Sequence, residues 1–486
     1  MVYDICVIGG GINGVGVARE AVLRGLSVCL LEKDDLASHT SQWSSKLIHG
    51  GLRYLEHYAF GLVAASLAER ERLLKIAPHL IKPLAFLIPH ETHMRPKWLL
   101  RAGLFLYDHL SLTKGVAMSL PKSYAVNIGE DWGLLNKFQQ GFVYSDAQVD
   151  DARLVVTTAK SAAKEGATIL TRSAFVSAQR QQDHWLIQQQ HGELKARHVV
   201  NTTGPWVAEV AHSFGLEAKI KHVQGSHIIV PKLHARPEAM LLQNADGRIV
   251  FVMPYQEQYS LIGTTDNPVS EYHAPKISEQ EIEYLLDLVN AYIAKPLRRS
   301  DIIHSYSGVR PLYDEGNKQA QALSRDFVIK QAEYSTHLFG GKITTYRESS
   351  EQLLDSLSAH FPHLGKSRSA EQVLLGGAYT AKELTLKTAQ WAQQYGLPLE
   401  EIKQIAARQG SDTEQFIAND RGACYAPGLY EKELRHMYSH EWARSAEDVL
   451  WRRSKIGLQL QAEEKDNPGQ KEQFSQAIQQ YLEAQA

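Results

Sequence analysis

The chain opens on an alternation of patterns that is readable without any further information. Residues 3 to 8, YDICVI, are apolar and β-branched and read as a strand; they run directly into Gly9-Gly10-Gly11-Ile12-Asn13-Gly14. The following VGVAREAVLRG has helical character and ends on Gly25, and a second apolar run, LSVCLLE, closes on Glu32. Further on, ARLVVTTAKSAAKEGATILTR (152 to 172) predicts a helix followed by a strand, and the next stretch predicts short alternating strands that end on the glycine turn of NTTGPW. Between about 218 and 300 the pattern gives more strands (SHIIVP, RIVFVMPY, YSLIGTT) and a helix starting near Ser278 with Glu281 as its capping-box partner. FGGKITTYRESSEQLLDSL predicts a glycine turn entering a helix. From about 362 a linker, PHLGKSRSAEQ, leads to a region rich in Ala, Gln, Glu, Lys and Arg with helical periodicity, in which Trp442, Val449 and Trp451 are spaced for packing.

The first thirty residues form a βαβ unit with an acid at the tip of its second strand, the arrangement of a dinucleotide site. Gly9 permits the tight turn, Gly11 lets the backbone approach a pyrophosphate, and Gly14 lets the helix pack on the strand, with Asn13 inside the loop. The helix N-terminus offers N–H groups to the anion, and Glu32 accepts from ribose hydroxyls. A merely structural glycine turn is the alternative, which the strand, helix and acid at their right distances disfavour. No second fingerprint follows downstream, so a tightly held FAD that meets a small reductant directly is the economical reading. The run after Glu32 is dense in hydroxyl residues, and Thr40, Ser44 and Ser45 are candidate donors to phosphate and flavin oxygens.

At 486 residues the chain predicts about three domains. A net charge of −2 gives no global attraction to nucleic acid. The three cysteines, Cys6, Cys29 and Cys424, show no metal-ligand spacing, so no metal is expected and a reducing compartment fits best. The N-terminus is not a signal peptide and no run is apolar enough to span a bilayer, which predicts a cytoplasmic protein that can still lie on a membrane. Residues 95 to 107, RPKWLLRAGLFLY, mix Arg95, Lys97 and Arg101 with Trp98, Leu99, Leu100, Leu104, Phe105 and Tyr107. They suit a helix in a lipid headgroup layer or an ordinary core helix with cationic ends. Composition leaves a homodimer open.

The motifs VIGGGINGVGVA, SSKLIHGGLRYLEH, YSDAQVDDARLV, NTTGPWV, QGSHIIVP, RIVFVMPY, IGTTD, YSGVRPL, FGGKITTYR and HEWARSAEDVLWRRSKIGL, in this order, closely resemble the FAD-dependent glycerol-3-phosphate dehydrogenases, the aerobic, respiratory members of the D-amino-acid-oxidase-like flavoproteins. The resemblance runs from residue 1 to about 460. It implies an α/β FAD-binding, Rossmann-like domain (1–75, 142–215 and 301–361), an antiparallel-sheet substrate cap (76–141 and 216–300) and an all-α C-terminal domain (372–486). It implies that Arg53, Arg310 and Lys342, each within two residues of a glycine, line a pocket for glycerol 3-phosphate with Tyr54 close by. Cations of this kind suit a phosphate dianion better than the single carboxylate of an amino-acid substrate. His49 is then the candidate base for the C2 hydroxyl proton as hydride passes from C2 to flavin N5, and His227 is its rival. In the family pattern Val176 lends backbone groups to the adenine and Thr203 and Gly204 lie against the cofactor. The turn Gly341, Lys342, Ile343, Thr344 and Thr345 aims its N–H groups at the flavin. The resemblance also implies electron transfer to a membrane quinone and peripheral attachment to the inner face of the cell membrane. The helix after the Gly-Gly-Lys turn carries Glu348, Glu351 and Asp355, which speaks against attachment through it. A soluble oxidase that passes electrons to oxygen, and a flavin-bound protein without catalysis, are the other readings.

Overall fold

A computed structural model describes residues 1–91, 94–244, 248–314, 326–464 and 466–485. Strand β1 (Val2–Ile8), helix α1 (Ile12–Leu23) and strand β2 (Val28–Leu31) form where the apolar pattern places them. Alternate residues of β1 serve opposite cores: Ile5 and Val7 pack under α1, whereas Cys6 and Ile8 pack on the other face with Trp185 and Phe214. Parallel pairing joins the strands Ser335–Gly340, Gly192–Asn201, β1, β2 and Thr168–Leu170. One antiparallel strand, Phe327–Ala332, borders Ser335–Gly340, and the hairpin Phe175–Arg180 and Trp185–Gln189 pairs onto Gly192–Asn201. The helices Asp151–Lys164 and Tyr346–Asp355 pack against α1 and cover one face.

A second sheet of ten strands stands beside the first. Its order is Asn267–Val269, Ile220–Pro231, Tyr259–Gly263, Ile249–Tyr255, Ala239–Gln243, Ile81–His90, Gln140–Val149 and Leu47–Ile48, with His304–Tyr313 paired to Ile220–Pro231 and Tyr124–Asn127 to Gln140–Val149. All its pairings are antiparallel except that of Ala239–Gln243 with Ile81–His90. Three strands that fall in the ranges expected for the FAD-binding part, Leu47–Ile48, Gln140–Val149 from residue 142 on and His304–Tyr313, pair wholly within this sheet. Residues 315–325 of that part lie outside the described residues. The helix Glu279–Asn290 covers one face and has the expected capping box, in which the Ser278 N–H donates to Glu281 at 2.8 Å and the Glu281 N–H to the Ser278 hydroxyl at 3.2 Å. The other face packs on Phe60–Ile76 and Lys97–His109.

The C-terminal region holds the helices Ala381–Tyr395, Leu399–Gln409, Glu431–His440, Ile456–Glu463 and Gln470–Glu483 and a π-helical stretch, Asp448–Arg453. It is not all-α. Pro427-Gly428, with φ +68° at Gly428, turns the chain between the short strands Cys424–Ala426 and Leu429–Tyr430. Val449 is fully buried in this domain's core and Trp451 stacks on His304 of the second sheet at 4.7 Å, so the aromatic spacing reflects packing.

Candidate active site

A cavity of about 500 Å³ starts at the C-terminal ends of β1 and β2 and continues between the two sheets. At its first end Gly9 has φ +109°, and a Cβ there would lie 2.7 Å from the Thr202 carbonyl oxygen. A Cβ on Gly14 would lie 1.8 Å from the Gly9 oxygen, so only glycine lets α1 start this close to β1. Gly11, Ile12 and Asn13 line the cavity, α1 has no side-chain cap from its own N-cap residue, and Asn13 Oδ1 is buried without a hydrogen-bond partner among the described residues. The Ile12 N–H donates to the hydroxyl of Ser41, a residue the sequence reading passed over. Glu32 accepts from the Gly10 N–H at 2.6 Å and the Asp34 N–H at 2.9 Å; burial nevertheless pushes its carboxyl up to about 7. A helix start with N–H groups facing a cavity, glycines at the contact points and an acid at the second strand fit the pyrophosphate and ribose of a dinucleotide.

The hydroxyl-rich segment lies along the same cavity, but its donors are partly engaged. Thr40 donates to the Val309 carbonyl at 2.8 Å and Ser44 to Asp151 at 2.7 Å. Asp151 is fully buried and gathers the Lys46 ammonium at 2.8 Å as well, which is why Ser44 faces it: a buried carboxylate requires several donors. Ser45 meets His227 Nε2 at 3.0 Å. Thr203 donates to Asn201, and Thr203 and Gly204 both line the cavity. Val176 does not: its side chain is 64% exposed, the register shifts between Phe175 and Ser177, and Ala174 and Phe175 form the lining instead.

His49 follows the short strand Leu47–Ile48 and lines the cavity, with its backbone N–H donated to Thr344 Oγ1 at 3.3 Å and its ring edge-on to Phe251 at 6.2 Å. The next two glycines are required. A Cβ on Gly50 would lie 2.6 Å from Leu67 and 2.7 Å from the Tyr107 hydroxyl, and Gly51, at φ +78°, has the Tyr54 ring 2.3 Å from the place of its Cβ. The Gly50 N–H donates to the Tyr107 hydroxyl at 2.9 Å, Tyr107 donates to Asp146 at 2.7 Å, and Asp146 pairs with the buried Arg70 at 2.8 Å.

Three cations come to this cavity from three distant segments. Arg310 stands on His304–Tyr313 opposite Val223, with Asp266 and Thr264 each 3.3 Å from its guanidinium. Gly225 gives it room, since a Cβ there would lie 2.4 Å from Nη2. The Lys342 ammonium lies 4.0 Å from the centre of the Tyr54 ring. Arg53 is half-buried and its guanidinium has no hydrogen-bond or ion-pair partner among the described residues. Gly341, Ile343 and Thr344 line the same space, as does a fourth cation, Arg248, which also covers the Tyr284 ring at 4.3 Å. Sequence reasoning missed Arg248 although it opens the RIVFVMPY motif. His227 is buried and stacked on Tyr306 at 4.8 Å; burial, then Arg310 and Lys46, hold its imidazole far below the usual histidine range and therefore neutral.

This fold, with a dinucleotide cradle leading into a cationic chamber, defines a flavoprotein oxidoreductase. Residues 4–347 match the family model of FAD dependent oxidoreductases, and residues 367–468 match the C-terminal domain of alpha-glycerophosphate oxidase. The chain is 44% identical to a glycerol-3-phosphate dehydrogenase of Pseudomonas aeruginosa, covering 96% of this chain and 94% of that one. It is 42% identical to the aerobic glycerol-3-phosphate dehydrogenase of Escherichia coli, over 96% of each, and 42% identical to a D-erythritol 1-phosphate dehydrogenase of Brucella abortus, over 94% and 95%. In fold it is similar to the glycerol-3-phosphate dehydrogenase from Bacillus halodurans complexed with FAD, with a TM-score of 0.76 at 22% identity, covering 99% of this chain and 95% of that one. The chain belongs to the FAD-dependent oxidoreductase family, in its aerobic glycerol-3-phosphate dehydrogenase branch. Its cofactor is FAD.

Proposed function

We propose that this enzyme oxidises sn-glycerol 3-phosphate to dihydroxyacetone phosphate and passes the electrons to a membrane quinone. The observation that carries the reading is the convergence of Arg53, Arg310 and Lys342 on one cavity beside His49. Their separation in sequence is large, and a cluster of like charges is costly unless an anion occupies it. Guanidinium groups bind phosphate oxygens in a bidentate fashion, and the charge also lowers the cost of an alkoxide developing at C2. His49 takes the hydroxyl proton. His227, neutral and tied to Ser45, orients rather than titrates. Gly9, Gly11, Asn13, Gly14 and Glu32 hold the adenine dinucleotide half of FAD, and the turn at 341–344 supports its ring. Bound there, FAD supplies the acceptor for the hydride and its two electrons.

Quinone use places the protein at a lipid surface, and no helix among the described residues is long and apolar enough to cross a membrane. The helix Lys97–His109 supports peripheral attachment: Leu104 and Tyr107 face inward, whereas Trp98 is 72% and Phe105 64% exposed, with Leu99, Leu106 and Leu112 beside them. The test is anaerobic addition of glycerol 3-phosphate to the yellow protein, then of a soluble quinone analogue. Bleaching by the first and recovery with the second are expected. Bleaching by D-erythritol 1-phosphate with a much higher kcat/KM would overturn the substrate, and fast hydrogen peroxide formation with no response to quinone would overturn the acceptor.

A further inference from the structure

The C-terminal domain reaches the adenosine half of the cavity through the π-helical stretch Asp448–Arg453 and the carbonyl of Trp442. Arg452 Nε and Arg453 Nη1 both donate to Asp35 Oδ2, at 2.6 and 2.5 Å, and Arg453 Nη2 donates to Asp35 Oδ1 at 2.8 Å. Asp35 is 2% exposed and stands three residues after Glu32, in the loop whose Glu32, Lys33, Ala37, Ser38 and His39 line the cavity. The opposite wall is Ala174 and Phe175, and the residue before Ser173, Arg172, donates to Asp448 Oδ2 at 2.5 Å and to the Trp442 carbonyl at 3.4 Å. Backbone bonds stitch the two walls together: the Glu32 N–H donates to the Leu170 oxygen and the Ser173 N–H to the Glu32 oxygen, both at 2.8 Å, and the Arg172 N–H to the Asp34 oxygen at 2.9 Å. Arg452 also donates to Asp448, so one guanidinium ties both walls from behind.

We propose that Asp448, Arg452 and Arg453 are positioning residues for the cofactor: the C-terminal domain is a clasp that sets FAD affinity by fixing the two walls of the adenosine half through Asp35 and Arg172. The loop carries Glu32, Asp34 and Asp35 within four positions, two of them buried. Without the two guanidinium groups these carboxylates repel one another and the loop opens to hydrate them, which moves Glu32 away from the Gly10 N–H and spoils its aim at the ribose. None of the clasp residues lines the cavity, so they act on FAD through the walls and leave the substrate end untouched.

The full-length protein, deflavinated and titrated with FAD, tests this by quenching of flavin fluorescence. Asp448→Asn and Arg452→Gln should each raise the FAD Kd roughly tenfold, the scale of coupling between residues in one ion-pair network. Arg452→Lys, which keeps the charge and loses the fork, should fall between wild type and Arg452→Gln. With FAD saturating, KM for glycerol 3-phosphate should stay at the wild-type value. Should the buried variants not fold, Arg172→Gln, at a side chain 37% exposed, should still raise the Kd several-fold. An unchanged FAD Kd in folded variants with a lowered apoprotein melting temperature would overturn the proposal and leave these residues as struts.

Discussion

Replacement of Arg310 by alanine isolates the phosphate-binding role of the cationic chamber. Its guanidinium is 29% exposed, and Asp266 and Thr264 each lie 3.3 Å from it, the long edge of the hydrogen-bonding range. A charge-assisted bond to a ligand contributes about 1.5–3 kcal/mol, and about 1.4 kcal/mol is a factor of ten. Loss of the side chain should therefore raise KM for glycerol 3-phosphate about ten- to a hundredfold. The structure argues for the upper end, because Asp266 lines the same cavity and its negative charge would then face the anion without the Arg310 charge beside it. Asp266→Asn added to Arg310→Ala should then recover part of the loss. FAD content should not change, since the contacts of Arg310 lie on the second sheet and not on the β1–α1 turn. Steady-state kinetics with a dye acceptor and the absorbance ratio of flavin to protein measure both. A KM within twofold of wild type, or loss of flavin with KM unchanged, would refute the assignment.

Substitution of His49 by asparagine should lower kcat about 10²- to 10⁴-fold with KM nearly kept, as expected for loss of a general base, and His227→Asn should lower it less; the reverse order in rapid-reaction flavin bleaching would exchange their roles. Glu32 has a folded-state pKa of about 7 against an ordinary 4.5, so the FAD-free chain carries a cost that grows as pH rises from 4.5 to 7 and is constant above. The apoprotein should accordingly lose thermal stability across that window, on the order of 3 kcal/mol at most, and Glu32→Gln should flatten the profile; an unchanged slope in the variant would remove Glu32 as its source. Trp98→Ser with Phe105→Ser should weaken sedimentation with anionic lipid vesicles about tenfold or more, given about 1.5–3 kcal/mol for each large apolar side chain buried, while activity with a soluble quinone analogue stays at the wild-type level; unchanged vesicle binding would place the lipid contact elsewhere.

What could be read in advance was local. The β1–α1–β2 unit follows from periodicity, from the turn glycines Gly9, Gly10, Gly11 and Gly14, whose missing side chains are explained by contacts within thirty residues or by the adjoining Thr202, and from an acid at a strand end. The Ser278 capping box is likewise written in four residues. Sheet membership was not legible, because the partners of Gln140–Val149 and His304–Tyr313 lie up to about 100 residues away in the chain. The fate of a hydroxyl was not legible either. Nothing near Ser44 in the chain shows that its hydroxyl donates to Asp151, 107 positions later. The irregular register between Phe175 and Ser177 was not legible either, and it accompanies a cavity lining formed by Ala174 and Phe175 beside Val176. The C-terminal arginines stood within a recognisable motif but gave no sign of their partner, since Asp35 is 417 positions from Arg452.

The two glycines after His49 show how the substrate end depends on groups that never touch substrate. With no Cβ on either residue, the backbone passes between Leu67 and Tyr107 on one side and the Tyr54 ring on the other, and His49, Arg53 and Tyr54 all reach the cavity from six consecutive residues. A turn this bare has little of its own to hold it, since glycine gives up more conformational freedom on ordering than any other residue. Rigidity comes instead from the Gly50 N–H, anchored on Tyr107 and through it on Asp146 and Arg70, all of them buried. In a low-dielectric interior such a chain is either fully satisfied or strongly destabilising, so it admits one arrangement. Tyr107 belongs to the same helix that exposes Trp98 and Phe105. The surface proposed to meet lipid and the loop proposed to offer a base and a cation to substrate are therefore joined through one helix, by the bond from Gly50 to Tyr107.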